Sequence, residues 1–124
     1  RLPHQVHVYD IAGNEIGLIS QRLFTFLPTF DISVGGRPCG SIRKEFTFFK
    51  PSYSIEYGGW QCDGDFLSWN YSVTAGSRLV ANIAKQLLSW GDTYTLDISD
   101  PGDEIMALML VIAIDAANCS QNNN

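Results

Sequence analysis

The two histidines are the first residues to consider for chemistry. His4-x-x-His7 carries two imidazoles that could share a metal ion. The sequence around them is strand-like, however, and in a strand a spacing of three puts two side chains on opposite faces. No metal site is expected from them. A Ser-His-Asp arrangement would need a positioned serine, and the chain has no G-x-S-x-G elbow. Gly35-Gly36-Arg37-Pro38-Cys39-Gly40 is rich in glycine but does not spell a phosphate-binding loop, and it predicts a hairpin turn. Asp63-Gly64-Asp65 lacks the later ligands of a calcium loop and also predicts a turn. Asp100, Asp103 and Glu104 offer carboxylates for acid–base work, yet helix capping explains them equally well. Asn70-Tyr71-Ser72 spells a glycosylation sequon inside an apolar strand pattern. Cys39, Cys62 and Cys119 have no short pair spacing, which disfavours both a disulfide framework and a zinc site. The expectation is a non-enzymatic protein with no catalytic residue, no metal and no cofactor, in a reducing, cytoplasmic compartment.

Charge is more informative. The chain carries 13 acidic and 8 basic residues, a net charge of −5. That balance excludes generic nucleic-acid binding, which needs a surplus of Lys and Arg. The distribution is uneven. Arg22, Arg37, Arg43, Lys44 and Lys50 meet only Asp31 and Glu45 between positions 22 and 50, a local charge of +3. Beyond Trp90 there are six acids and no Lys or Arg. Such asymmetry can mark an anion-binding face, and it can equally be a solvated surface. The anion-binding candidates are Arg22, Arg43, Lys44 and Lys85.

These residues need elements to position them. The length of 124 residues suits one domain, predicted over 1–118, followed by a polar tail over 119–124 that reads as barely ordered. Internal similarity organises the rest. Shifting the chain by 23 residues lays Gly13–Ile32 over Gly36–Ile55 with six of 20 positions identical: Gly13/Gly36, Gly17/Gly40, Ile19/Ile42, Phe26/Phe49, Pro28/Pro51 and Ile32/Ile55. At an offset of 41, Ile42, Lys44 and Tyr53 recur as Ile83, Lys85 and Tyr94. Within each copy apolar and polar residues alternate, as in Phe30-Asp31-Ile32-Ser33-Val34 and Tyr53-Ser54-Ile55-Glu56-Tyr57. A period of two predicts half-buried antiparallel strands, about ten in all.

The pattern breaks at Asp100-Pro101-Gly102-Asp103-Glu104, which predicts a helix start. The run Ile105–Ile114 that follows is apolar on every face and should be buried on every face. At ten residues it is too short for a transmembrane span, which needs about 20. Three arrangements could bury it: a barrel closed around it, an interface between two monomers, or insertion as a hairpin into a membrane. The barrel fits the surrounding hairpins best.

The phrases DIAGNEIGLISQRLFTFLPTFDIS, GSIRKEFTFFKPSYSIEY, DGDFLSWNYSV, LVANIAKQLLSWGDTYTLDI and EIMALMLVIAIDAAN, in that order, resemble the LURP-one-related family with its YxjI-like bacterial members. The resemblance places the chain in the tubby C-terminal-like superfamily shared with phospholipid scramblases. It implies a closed antiparallel barrel of about twelve strands around a central hydrophobic C-terminal helix. It also implies a further strand repeat ahead of Val6, so this chain is expected to lack its first strands. Some tubby-like domains bind phosphoinositides through a basic cleft. The resemblance therefore implies an anionic lipid headgroup or a protein as partner, a peripheral place at the membrane, and oligomer formation as the alternative role.

Overall fold

A computed structural model describes residues 5–48, 51–65, 70–88 and 91–122. Alternating apolar residues make nine strands among these residues, one fewer than expected. They are β1 (Gln5–Tyr9), β2 (Glu15–Gln21), β3 (Thr29–Val34), β4 (Arg37–Lys44), β5 (Tyr53–Glu56), β6 (Trp60–Asp65), β7 (Asn70–Ala75), β8 (Arg78–Leu88) and β9 (Gly91–Ile98). Each pairs antiparallel with a sequence neighbour, in the orders β1-β2-β3-β4-β5 and β6-β7-β8-β9. The predicted turns at Gly13 and Gly35-Gly36 are present, with positive φ of 90°, 59° and 80°. Asp63-Gly64-Asp65 is not a turn but the end of β6. There Gly64 is in place because a Cβ would lie 2.6 Å from the Tyr71 Cα.

The repeat is visible as strand register. Ile19 faces Ile32 across β2–β3, Ile42 faces Ile55 across β4–β5, and Ile83 faces Leu96 across β8–β9. Lys44 sits opposite Tyr53 and, 41 positions on, Lys85 sits opposite Tyr94. One hairpin design has therefore been used three times.

The expected closed barrel is not what the described strands form. They make two open sheets. The interruption falls between β5 and β6, where β5 is only four residues long and Gly58 and Gly59 take φ of 50° and 72°. Two consecutive left-handed residues turn the chain out of the first sheet. Trp60 then packs edge-on against Tyr57, ring centroids 4.8 Å apart.

The C-terminal helix α1 (Glu104–Asn122) lies against both sheets. A 3₁₀ turn over Pro101–Asp103 precedes it, capped by the Asp100 carboxylate accepting from the Gly102 N–H at 2.9 Å. Met109, Leu110 and Ile114 pack with Ile19, Phe30, Ile32 and Ile42 from one sheet and Val73, Val80 and Ile83 from the other. Burial is not complete all round. Ile105 is 45% exposed, and Leu108, Ile112 and Asp115 are only partly covered. Spacings of three and four place these residues on one stripe, the least covered side of the helix. The helix also runs to Asn122, four residues into the expected tail. Among the described residues, no helix is long and apolar enough to cross a membrane.

Candidate functional site

Three of the four anion-binding candidates meet at one end of the five-stranded sheet. The Arg22 N–H donates to the Thr29 carbonyl at 2.8 Å, Thr29 is the cross-strand partner of Arg43, and the Lys44 N–H donates to the Pro28 carbonyl at 2.9 Å. Proline ends each connection, Pro28 just before β3 and Pro51 just before β5, because it removes a ladder donor. The segments over 22–28 and 45–48 therefore leave the sheet side by side.

The three cations are placed differently. Arg22 and Arg43 belong to the outward register. Arg22 makes a two-pronged contact with Asp31, Nε to Oδ2 at 3.2 Å and Nη2 to Oδ1 at 2.6 Å. Arg43 donates from Nε and Nη2 to Glu45 Oε1 at 3.0 and 2.9 Å. Ser54 Oγ donates to the same Glu45 oxygen. Hydrogen bonds from Ser54 and then Arg43 hold the Glu45 carboxyl below its usual range, and Asp31 raises the Arg22 guanidinium. Lys44 follows Ile42 on the inward register and sits opposite buried Tyr53. Partial burial lowers its pKa. Among the described residues, no ion pair includes Lys44.

Lys85 is not part of this end cluster. It lies on the other sheet, its Nζ 3.7 Å from Asp115 Oδ1 and 5.3 Å from the centre of the Tyr94 ring. Nearby, the Tyr53 hydroxyl donates to Asn118 Oδ1 and pins β5 to the helix. The four candidates thus do not converge on one cleft. Arg37 stands at the opposite end of the sheet, in the β3–β4 hairpin, and Lys50 lies outside the described residues.

Residues that sequence reasoning passed over dominate the same end. Leu23, Phe24, Phe26, Phe46 and Phe48 project from the two loops, Phe24 wholly exposed and Phe26 at 94%. The Phe46 and Phe48 rings meet edge to face at 5.3 Å. Phe24 takes φ +57°, a left-handed conformation that costs energy for a bulky residue. The signal was present as a doublet, Phe24-Thr25-Phe26 and Phe46-Thr47-Phe48. A strand-based alternation assigns such residues to the core and hides it.

The catalytic candidates stay apart. The His7 Nδ1 is held by Glu15 Oε1 at 2.5 Å, and His4 lies outside the described residues. Asp103 takes Arg78 at 2.8 Å instead of standing free beside Glu104. Among the described residues, no three His, Cys, Asp or Glu side chains converge. A cleft of about 600 Å³ opens between β5 and β6–β7, lined in part by Tyr53, Ile55, Trp60, Cys62 and Ser72. Burial pushes its Cys62 thiol up to about 12, which makes it a poor nucleophile.

Two antiparallel meanders packed on one C-terminal helix, with an apolar and basic rim at one end, define the class: a mainly β protein with a single helix. The chain belongs to the LURP-one-related family, whose profile matches residues 1–115. It is similar to the Uncharacterized protein YxjI of Bacillus subtilis (strain 168), 32% identical over 114 residues that cover 92% of this chain and 70% of that protein. No solved structure matches it.

Proposed function

We propose that this protein is a non-enzymatic binding module for anionic phospholipid headgroups, acting at the cytoplasmic face of a membrane. The observation that supports this most is the gathering of Arg22, Arg43 and Lys44 at one end of the five-stranded sheet. Basic side chains close to an anionic membrane contribute about 1 kcal/mol each. The Arg22–Asp31 and Arg43–Glu45 pairs are about half exposed on the arginine side, so they are weak and open to exchange with phosphate oxygens. Arg43 and Lys44 are the residues with most influence; Lys85, engaged with Asp115, plays a structural part. Co-sedimentation with phosphatidylcholine vesicles, with and without phosphatidylserine or a phosphoinositide, tests the reading. Equal recovery from all of them overturns it.

A second reading has its own support. The stripe of Ile105, Leu108 and Ile112 is only partly covered, and β1 ends its sheet with an unpaired edge among the described strands. Further strands, supplied by a longer chain or by a second copy, would close the two sheets into the tubby-like, scramblase-like barrel that the resemblance implies. In that case the domain works as an oligomer or a protein-interaction scaffold. Light scattering of the longest available form distinguishes the cases, and a monomer at all concentrations counts against self-assembly.

A further inference from the structure

We propose that the paired segments over 22–28 and 45–48 enter the hydrocarbon edge of a lipid bilayer, with the basic residues at their roots left at headgroup level. The proposal deepens the headgroup reading and rests on it for the choice of an anionic surface. Five large apolar side chains stand in solvent on two loops whose roots are hydrogen-bonded to each other through Lys44 and Pro28. Soluble proteins rarely expose so concentrated an apolar patch without a use for it. The strained φ of Phe24 points the same way, since a disfavoured backbone kept at a loop tip gains nothing for the free protein's own packing.

The shape selects the occupant. Phe24, Phe26 and Phe48 are 85–100% exposed, which is the signature of tips rather than of a flat or grooved face. A protein partner would require a pocket for each tip, whereas acyl chains close around any convex apolar shape. Charge agrees. Arg22 lies two residues before Phe24, and Arg43 and Lys44 lie just ahead of Phe46, at the roots where phosphate groups would sit. Amphipathic anchors combine these two contributions, buried apolar area and attraction to anionic lipid. The repeated Phe-Thr-Phe triplet supplies the same tip twice, and two prongs fix orientation as one cannot.

The test uses the full chain with large unilamellar vesicles of phosphatidylcholine alone or with 30% phosphatidylserine, the latter composition being a choice of about one anionic lipid in three. Variants are Phe24→Ser with Phe26→Ser, Phe46→Ser with Phe48→Ser, and the control Ile11→Ser, a fully exposed apolar residue in the turn at the opposite end of the sheet. Circular dichroism checks that each is folded. Each double Phe variant should lose about tenfold or more in partitioning, and Ile11→Ser should bind as wild type. Phe24→Trp should blue-shift on vesicle addition and be quenched by brominated acyl chains. Wild-type-like binding by both double variants, reversed by salt, overturns insertion and leaves the headgroup reading standing. Equal, Phe-dependent binding to neutral vesicles does the reverse. Loss of self-association in the Phe variants, without vesicle binding by wild type, identifies a second copy as the occupant and overturns the proposal. Should Phe24→Trp misfold, Phe48→Trp carries the same fluorescence readout from the other loop.

Discussion

Gly40 is pressed against the Glu56 carbonyl: a Cβ at Gly40 would lie 2.2 Å from that oxygen. Its repeat mate Gly17 is confined too, but by the Sδ of Met109 at 2.4 Å. The two obstacles differ in kind. Backbone in a ladder cannot retreat, whereas a thioether can change rotamer. Gly40→Ala should therefore cost about 1–3 kcal/mol and Gly17→Ala about 1 kcal/mol or less. Urea denaturation of the two variants checks the order, and a larger loss at Gly17 would show that Met109 is locked.

The uneven burial of α1 makes a second contrast. Leu110 is fully buried, while Ile112 lies on the part-covered stripe. Leu110→Ala should destabilise by about 2–5 kcal/mol, and Ile112→Ala by roughly half of that or less. Thermal unfolding monitored by circular dichroism reads both. Comparable losses would mean that the stripe is covered in solution, by another copy or by further chain.

Alkaline pH should weaken the fold. Burial moves the Cys62 thiol from 9.0 up to about 12, and raises Tyr53 and Tyr71 above their ordinary value of 10.0. The unfolded chain loses these protons first, so above pH 9 ionisation favours unfolding and stability falls as pH rises. The urea midpoint should drop between pH 8 and pH 10.5. In a Cys119→Ser background, exposed Cys39 should react with a thiol reagent at pH 8 while Cys62 stays protected until unfolding.

The ion pairs on the outer face give a fourth expectation. Asp31 and Glu45 each occupy an arginine at the basic end of the sheet. Asp31→Asn with Glu45→Gln would free both guanidinium groups. Affinity for anionic vesicles should rise about fivefold or more, and its dependence on salt should steepen. Unchanged binding in a vesicle titration would place the headgroup contact elsewhere.

How much of this was legible in the sequence depends on the physics involved. The strands were, because alternation and turn glycines are local, and positions repeated at the offsets of 23 and 41 take equivalent places in the ladders as Ile19–Ile32, Ile42–Ile55 and Ile83–Leu96, a register that the structure adds. The helix was, because an apolar run after Asp100-Pro101 has few alternatives. Closure was not, since it depends on how Gly58 and Gly59 aim the chain between β5 and β6, and aim is not written in composition. The candidate site was half visible. Arg22, Arg43 and Lys44 could be picked out by charge, but Lys85 shares their sign without their place. The Phe tips were missed because hydrophobicity alone does not distinguish a core residue from one held out on a loop.

Ladder partners throughout the two sheets are sequence neighbours, yet the element that fills the space between them follows all nine strands in the chain. During synthesis the sheets emerge with their greasy sides bare, and the plug arrives only afterwards. Each nascent copy must then pass through a sticky interval that ends when α1 docks. Ribosome-stalled or truncated chains lacking that segment are consequently the species that chaperones and proteases should recognise.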